Sequence, residues 1–420
     1  MSNADEETGA ASAHSARAAS GTRAETTEAG PLRGVRIVDL TIALSGPWAI
    51  GLLADQGAQV IKVEPPGIGD IGRWVGVARG GVSAMAQFAN RGKRALCVNL
   101  RTEEGREIVR ALAQRADVFA QNFRPGVIER LGLGYEELSR DNPELVYLSI
   151  SGFGDTGPYA AKSAYDPVVQ AYGGLAATQA GRDGPPQLIR HTAADKISSL
   201  TASQAVTAAL FARASGRGGQ HVRVPMLDAV VNFVWADAAG NEVLLDAAGS
   251  QPSSFSRDQK LWPTTDGFVI AAPTSDEDVA RICRAAGVDG YDDPRTKLMA
   301  RRAEPAPFQE LLRRVLEAVA RLTTAEAMTR FNREKAPAGE VIGPERLHLD
   351  PHVQASGLLE ESVHPAAGRL RQPRPAARFE RTPARIGAPA PTLGQHTDEI
   401  LREFGYGERI SELREKKVVA

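Results

Sequence analysis

From residue 35 onward the sequence alternates short apolar runs with helical patterns, and this alternation constrains the fold more than any other feature. The short runs are bounded by Gly, Pro or polar residues, which is typical of strands, and the stretches between them have helical periodicity. Strands separated by helices form parallel sheets, because each parallel connection requires a crossover. The sequence therefore predicts an α/β fold with a doubly wound, Rossmann-like large domain, whose ligands bind beyond the carboxyl ends of the strands.

The predicted strands and helices fill the first half of the chain. The predicted strands are 35–40, 59–64, 96–100, 117–121, 145–149 and 221–225. The predicted helices are 47–54, 102–115, with Thr102 as the N-cap, and 195–214. Together they predict βαβ units over the N-terminal two hundred residues.

Changes in composition predict five segments. Small, polar and acidic residues predict a disordered leader at 1–30, followed by the N-terminal part of the large domain at 31–229. A smaller α+β domain is predicted at 230–335, where Phe268–Ala271 is the clearest strand. A Pro-, Ala- and Arg-rich stretch at 336–392 predicts an extended connector. Residues 393–420 then return to the large domain through a helix at 396–404.

The charge and motif content excludes several function classes. The chain has 420 residues with 50 basic and 51 acidic side chains, so nothing indicates a nucleic acid or membrane partner. It has no apolar run of bilayer length and no apolar centre of a secretory signal, so a cytoplasmic location is expected. Cys97 and Cys283 lack metal-site spacing, and no metal site is predicted. Phosphate-loop, zinc-protease, nucleophile-elbow and dinucleotide fingerprints do not occur, and no permanently bound cofactor is predicted.

Basic and amide-bearing residues, together with one phenylalanine, follow several of the predicted strands. They are Asn90, Arg91, Lys93, Arg94, Arg101, Asn122, Phe123, Arg124 and Arg130. Arginine pairs with phosphate through two parallel hydrogen bonds, and an aromatic ring offers a stacking face, so this set could hold a phosphorylated, adenine-bearing ligand. A solvated basic rim explains the same pattern.

Two carboxylates lie in small, apolar, Gly-containing surroundings. One is Asp166, which follows Tyr165, and the other is Asp195, at the predicted start of a helix. Helix capping alone would explain Asp195. The same position would also favour an ionised carboxylate through the helix dipole, as a nucleophile requires.

Ordered motifs over most of the chain resemble the class III CoA-transferases, the superfamily of formyl-CoA transferase, carnitine CoA-transferase and α-methylacyl-CoA racemase. The matching segments are 31–40, 45–47, 57–66, 90–94, 116–126, 149–154 and 394–401. The resemblance implies two interlocked protomers, each with a Rossmann-like large domain. It also implies an acyl-CoA and a carboxylic acid as substrates.

Carried over to this sequence, the resemblance makes Asp195 the nucleophile and Asp166 an active-site carboxylate. CoA contacts are implied for Ala43, Leu44, Ser45, Arg101, Asn122, Phe123 and Arg130, and we predict that Arg124 and Tyr165 belong to the same binding set. A carboxylate that attacks an acyl-CoA thioester forms a mixed anhydride and frees CoA thiolate. CoA then returns to form an aspartyl thioester, from which the new acid leaves as its CoA ester.

Departures from the resemblance concern substrate choice. Pro65 replaces an arginine of formyl-CoA transferase and Leu44 replaces its substrate-contacting glutamine, so oxalate or formate specificity is not indicated. The glycine run of the small domain is reduced at 249–254. Leu44, Trp48 and Phe255 predict a less polar acyl pocket.

Two alternatives remain at this point. An α-methylacyl-CoA racemase would exchange an α-proton with a His-Asp pair, and here Tyr165 stands where that histidine is expected. A non-catalytic CoA-binding subunit would retain Asp195 only as a helix cap.

Overall fold

The computed structural model describes residues 30–180, 184–246 and 259–420, and its central feature is a six-stranded sheet in which all neighbouring strands are parallel. The predicted parallel sheet is therefore confirmed. The strands of the described residues are β1 Arg36–Asp39, β2 Gln59–Glu64, β3 Ala78–Arg79, β4 Val82–Ser83, β5 Lys93–Cys97, β6 Val118–Gln121, β7 Val146–Ser151, β8 Gln220–Pro225, β9 Trp262–Pro263, β10 Phe268–Ala271, β11 Ala338–Glu340, β12 Leu359–His364 and β13 Gly368–Pro373.

Helices connect and cover these strands. In the described residues they are α1 Ser45–Asp55, α2 Ala84–Asn90, α3 Glu103–Gln114, α4 Val127–Arg130, α5 Tyr135–Asp141, α6 Asp166–Tyr172, α7 Leu175–Thr178, α8 Ala193–Ala212, α9 Met226–Ala238, α10 Gly240–Val243, α11 Asp276–Ala286, α12 Pro305–Val319, α13 Thr324–Arg333, α14 Pro351–Ala355, α15 Thr397–Glu403 and α16 Ile410–Glu415. Among them, none is long and apolar enough to cross a membrane.

Successive strand residues point to opposite faces of the sheet, and each face is buried under helices. In β1, Ile37 packs into a core with α1, α8 and α9, whereas Val38 packs into a second core with α3, α15 and α16. The same division separates Val118 from Phe119 in β6. Neighbouring apolar residues of these strands therefore pack on opposite faces, and helices cover both faces of the sheet.

The strand order is β5-β2-β1-β6-β7-β8. The chain thus builds the sheet outward from β1 in one direction and then returns to build outward from β6 in the other. The two strands meet as neighbours, with Ile37 paired to Val118. Such a reversal leaves a crevice beyond the carboxyl ends of the two strands, because their connections leave on opposite faces.

A separate three-stranded antiparallel sheet, β11-β10-β9, packs with α11, α12 and α13 around its own apolar core. It lies within or next to the predicted small domain, although α9 crosses the predicted boundary at residue 230.

The segment 336–392, interpreted from the sequence as an extended connector, contains β11, α14 and the β12–β13 hairpin. Its Arg and Glu residues face each other across the hairpin, where Arg369 and Arg371 pair with Glu361. The strands of this hairpin were not predicted because the segment is rich in Pro and Arg. Two predicted segments lie outside the described residues. They are the leader up to residue 29 and the reduced glycine run at 249–254.

Candidate active site

The loop after β1 forms one wall of the crevice. Ala43 has a positive φ of 66°, and its N–H donates to Asp70 Oδ1 at 2.8 Å. Leu44 is the N-cap of α1, and Ser45 is its first residue; both are buried. Gly46 is required, because a Cβ there would lie 2.3 Å from Thr41 Cβ. The predicted segment 43–45 is therefore a tightly fixed turn that presents the N-terminus of α1.

A buried ion pair holds this turn from below. Lys62 Nζ lies 3.0 Å from Asp70 Oδ2 and also donates to the Thr41 carbonyl. Burial alone would lower the pKa of Lys62, but the carboxylates of Asp70, Asp39 and Glu64 outweigh it and raise the pKa. The lysine is therefore charged, and the charge fixes the carboxylate that accepts the Ala43 N–H.

Asn122, the first residue after β6, joins the two sides of the crevice. Its Oδ1 accepts the N–H of Ile42 and its Nδ2 donates to the Ile42 carbonyl, each at 2.8 Å. Its neighbour Phe123 is half-buried, and the Phe123 N–H donates to Gln121 Oε1 at 2.8 Å. The predicted residues Asn122 and Phe123 therefore border the same turn as Ala43.

Asp195 lies in the first turn of α8 rather than before the helix. The helix begins at Ala193, and the N-cap, Thr192, makes no side-chain capping bond. The side chain of Asp195 makes no hydrogen bond to another described residue. The sequence also allowed Asp195 to be a helix cap. In this fold Asp195 does not cap the helix.

Asp166 approaches Asp195 from the start of α6. The buried Asp166 carboxylate accepts the backbone N–H of Asp195 on Oδ2 at 3.0 Å and the Nε2 of Gln170 on Oδ1 at 2.6 Å. The structure thus brings the two predicted catalytic carboxylates together from segments 29 residues apart in sequence.

This arrangement changes the acidity of Asp195. Burial, together with the nearby charge of Asp166, raises the pKa of Asp195 from 3.8 to about 7, whereas Lys196 acts in the opposite direction. A carboxylate of this basicity is a stronger nucleophile than an ordinary aspartate. Its negative charge is also disfavoured, so conversion to a neutral acyl derivative relieves repulsion.

Ser199 connects the first turn of α8 to the turn after β1. Its buried hydroxyl lies 2.7 Å from the Ser45 carbonyl oxygen and 2.8 Å from that of Asp195. The position of Asp195 is therefore tied to the N-terminus of α1.

The remaining predicted residues are exposed. Arg101 follows β5, Arg124 follows β6 and Arg130 ends α4. These three side chains make no ion pair with a carboxylate of the described residues. Arg101 and Arg124 follow the carboxyl ends of their strands, at the edge that carries the crevice. Tyr165 is the N-cap of α6 and its side chain is 68% exposed.

The basic segment 90–94 differs from the predicted ligand-binding rim. Arg91 pairs with Asp55 at 2.6 Å, and Lys93 is fully buried against Asp39 at 2.9 Å. Strand β5 begins at Lys93 rather than at the predicted residue 96, because this charge is neutralised inside the protein. Only Arg94 of these three is partly exposed, and it pairs with Glu399 and Glu403.

Sequence reasoning missed Gln170, Ser199 and Asp70. Each is a buried polar residue with a partner that lies far away in sequence or on another element. Gln170 alone carried a local signal, since it lies four residues after Asp166 and the two side chains share a face of a helix. Within the described part of the chain, no group of His, Cys, Asp and Glu has the arrangement of a metal site.

Comparison with known proteins agrees with this architecture. Residues 32–397 match the model of CoA-transferase family III. The chain is 33% identical over 395 residues to the succinate–glutarate CoA-transferase of Agrobacterium fabrum, covering 90% of this chain and 97% of that protein. It is 31% identical over 402 residues to the formyl-CoA:oxalate CoA-transferase of Rhodopseudomonas palustris, covering 89% and 93%.

A solved structure is similar as well. The CAIB/BAIF family protein from Brucella suis matches with a TM-score of 0.77 and 31% identity over 90% of this chain and 100% of that chain. The chain therefore belongs to CoA-transferase family III and is an enzyme of the transferase class.

Proposed function

We propose that this protein is an acyl-CoA:carboxylate CoA-transferase that works through covalent intermediates on Asp195. The observation that carries the proposal is the buried position of Asp195 beside Asp166: burial, together with the charge of Asp166, raises the pKa of the Asp195 carboxylate. Such a group is suited to attack a thioester at neutral pH.

The proposed reaction balances in four steps. An Asp195 oxygen attacks the acyl-CoA carbonyl. CoA departs as the thiolate, and a mixed anhydride forms on Asp195. The thiolate attacks the Asp195 carbonyl, forming an aspartyl thioester and releasing the first acid. The acceptor carboxylate attacks that thioester, giving a second mixed anhydride and thiolate. Attack of the thiolate on the new acyl group regenerates Asp195 and releases the new acyl-CoA.

The turn 43–45 and the exposed arginines form the proposed CoA site. Backbone N–H groups at the start of a helix favour phosphate, and Arg101, Arg124 and Arg130 add positive charge at the same edge. Asn122 holds the turn, and Phe123 and Tyr165 supply aromatic faces. CoA is a substrate in this scheme, with no permanently bound cofactor.

The relatives suggest which acids to test first. One is named for succinate and glutarate, and another for formyl-CoA and oxalate. Leu44 is buried and its carbonyl accepts the N–H of Trp48, whose ring packs 5.7 Å from Phe88. This apolar surface favours four- and five-carbon diacids over oxalate, because a longer chain brings methylene groups to it.

A homodimer is part of the proposal. The outer face of α8 exposes Leu200 by 54% and Phe211 by 75%, and these residues lie eleven positions apart, so they share one side of the helix. A second protomer would cover them, as the resemblance to interlocked enzymes implies. A cytoplasmic location also remains part of the proposal.

The test is a CoA-exchange assay with succinyl-CoA, acetyl-CoA and formyl-CoA as donors and glutarate and oxalate as acceptors. Asp195→Asn is expected to abolish transfer, because an amide cannot form the anhydride. The matched control is Asp228→Asn, which changes a first-turn carboxylate of the adjacent helix α9 and is expected to retain wild-type rates. Transfer by Asp195→Asn at the wild-type rate would exclude the proposed mechanism. Exchange of an α-proton without transfer would indicate the racemase.

A further inference from the structure

We infer that Gln170 is a positioning residue that fixes the charged Asp166 carboxylate against the first turn of α8. The inference rests on the proposed role of Asp195 for its catalytic meaning, although the geometry can be tested without catalysis. Gln170 is 1% exposed and lies one helical turn after Asp166 on α6.

The orientation of the Gln170 amide follows from its neighbours. Its Oε1 accepts the N–H of Ile189 at 2.9 Å, which only an oxygen can do. The amide nitrogen therefore faces Asp166, where Nε2 donates to Oδ1 at 2.6 Å. The same Nε2 lies 3.3 Å from the carbonyls of Ile189 and His191. Gln170 thus joins the helix that carries Asp166 to the segment that leads into α8.

The hydrogen bonds around Asp166 select its charged form. One carboxylate oxygen accepts from Gln170 and the other from the N–H of Asp195, and both partners are donors. A proton on either oxygen would face a donor hydrogen. Both oxygens of Asp166 are therefore fixed by donors, one from its own helix and one from the first turn of α8.

Other charged groups around α8 have partners or act weakly on Asp195. Lys196 favours the ionised form of Asp195 and lies 3.4 Å from His191. The titratable groups on the elements packed against α8 include Asp55 on α1, which pairs with Arg91. On β8 they include His221, which contacts Ser149, and Arg223, which pairs with Asp155. On α9 they include Asp228 and Asp237. Asp166 is the group that raises the Asp195 pKa alongside burial.

The experiment measures the hydrogen exchange of the Asp195 backbone amide by nitrogen-15 NMR of the full-length protein labelled at aspartate. This N–H lies in the first turn of α8 and donates to Asp166 Oδ2, so its protection reports where the Asp166 carboxylate lies. The Asp195 signal is assigned by its loss in Asp195→Asn. In Gln170→Met the donor to Asp166 Oδ1 is absent, so the carboxylate is free to turn away from the Asp195 N–H. We expect this amide to exchange about ten-fold faster than in the wild type, as loss of a hydrogen bond to a charged group implies.

Two controls separate positioning from general destabilisation. Gln87→Met removes another buried glutamine, whose amide bonds Gln372 and Ala390, and should leave the exchange rate of the Asp195 amide unchanged. Gln170→Glu can share one proton with Asp166 and so keep a donor to it; the exchange rate should stay within about three-fold of the wild type. Gln170→Leu replaces Gln170→Met if the latter does not fold.

Faster exchange of the Asp195 amide in Gln170→Met but not in Gln87→Met supports the inference. An unchanged exchange rate in folded Gln170→Met or Gln170→Leu overturns it. Failure of the proposed function is distinguishable: if Gln170→Met speeds the exchange but the wild-type protein never acquires an acyl group on Asp195, the positioning role is kept and the transferase mechanism is lost.

Discussion

Two neighbouring carboxylates form the centre of the candidate site at the scale of single residues. Asp166 is buried and doubly hydrogen-bonded, whereas the Asp195 side chain has no such support from described residues. The environment therefore separates their roles, with one a fixed charge and the other a basic group able to react. The raised pKa of Asp195 implies that the folded protein stores an unfavourable interaction at its active site.

The first prediction concerns the pH dependence of stability. Because the pKa of Asp195 is about 7 in the folded protein and 3.8 ordinarily, the folded state binds more protons between those values. The stability contribution of Asp195 therefore falls as pH rises from about 4 through 7. Asp195→Asn should be more stable than the wild type at pH 8, by about 1–3 kcal/mol, and the gain should vanish near pH 4.

Urea unfolding at pH 4, 6 and 8, at one protein concentration, measures this difference. A stability gain that is the same at all three pH values would contradict the assigned pKa. Loss of stability in Asp195→Asn at pH 8 would contradict the unfavourable interaction itself.

At the residue scale the sequence predicted the carboxylates but not what holds them. Asp195 and Asp166 were found by resemblance, since an aspartate near a helix start has an ordinary structural explanation. Ser199 could not be found, because a buried serine is recognised only when its distant partner is known. Gln170 carried one local signal, its position one helical turn after Asp166, but its bond to Ile189 is not visible in the sequence.

At the scale of elements, α8 and α1 form the frame of the site. Ser199 joins the first turn of α8 to the carbonyl of Ser45, so the proposed nucleophile and the proposed CoA turn are tied together. The turn 43–45 is held by the buried ion pair of Lys62 and Asp70. Buried polar contacts of this kind fix geometry where apolar packing alone would allow small displacements.

The second prediction is that Ser199→Ala weakens this connection. Loss of the buried hydroxyl should cost about 1 kcal/mol of unfolding free energy and lower the rate of acyl transfer several-fold, because Asp195 is less well aligned. Ser203→Ala is the control on the same helix, since among the described residues that hydroxyl donates to the Leu200 carbonyl within α8. Unfolding curves and transfer rates that are equal for the two variants would contradict the connecting role.

The third prediction is that Asp70→Ala destabilises the turn and the fold. Lys62, 1% exposed at its side chain, would lose its ion-pair partner, and Ala43 would lose its hydrogen bond. Removing one member of a buried pair costs about 3–5 kcal/mol. Glu310→Ala, which breaks the exposed pair with Arg313, should leave the urea midpoint unchanged. A small effect of Asp70→Ala would show that the pair does not support the turn.

Element boundaries followed from the sequence where apolar content decided them. Strand β2 occupies the predicted residues Gln59–Glu64, and Thr102 caps α3 as predicted, accepting the Gly105 N–H at 3.1 Å. Strand β5 was misplaced because Lys93 looks like a surface residue, although burial lowers its pKa to about 8 beside Asp39. Long-range ion pairing, invisible in one sequence, made the difference.

At the scale of the whole molecule, the parallel sheet and family membership agree. The sheet brings the turn after β1 and Asn122 after β6 to one crevice, while α6 and α8 add the carboxylates. Alternation of strands and helices was enough to predict this sheet. The hairpin β12–β13 was not predicted, because its strands are rich in charged residues that pair with each other.

The fourth prediction concerns assembly. Light scattering should give twice the protomer mass of 44.7 kDa. Phe211→Glu combined with Leu200→Glu should shift the protein toward the protomer mass, because charges would enter the proposed interface. Arg313→Glu, on an exposed surface of α12, is the control. A wild-type protein at the protomer mass with full transferase activity would contradict the proposed dimer.

The central claim is that Asp195 carries the acyl group, and intact-protein mass spectrometry tests it most directly. The protein is incubated with a panel of acyl-CoAs, trapped with hydroxylamine or borohydride, and digested to locate the modification. The account predicts an adduct that maps to Asp195 in the wild type and is absent from Asp195→Ala. No adduct across the panel despite CoA binding, or an adduct that persists in Asp195→Ala, would contradict it.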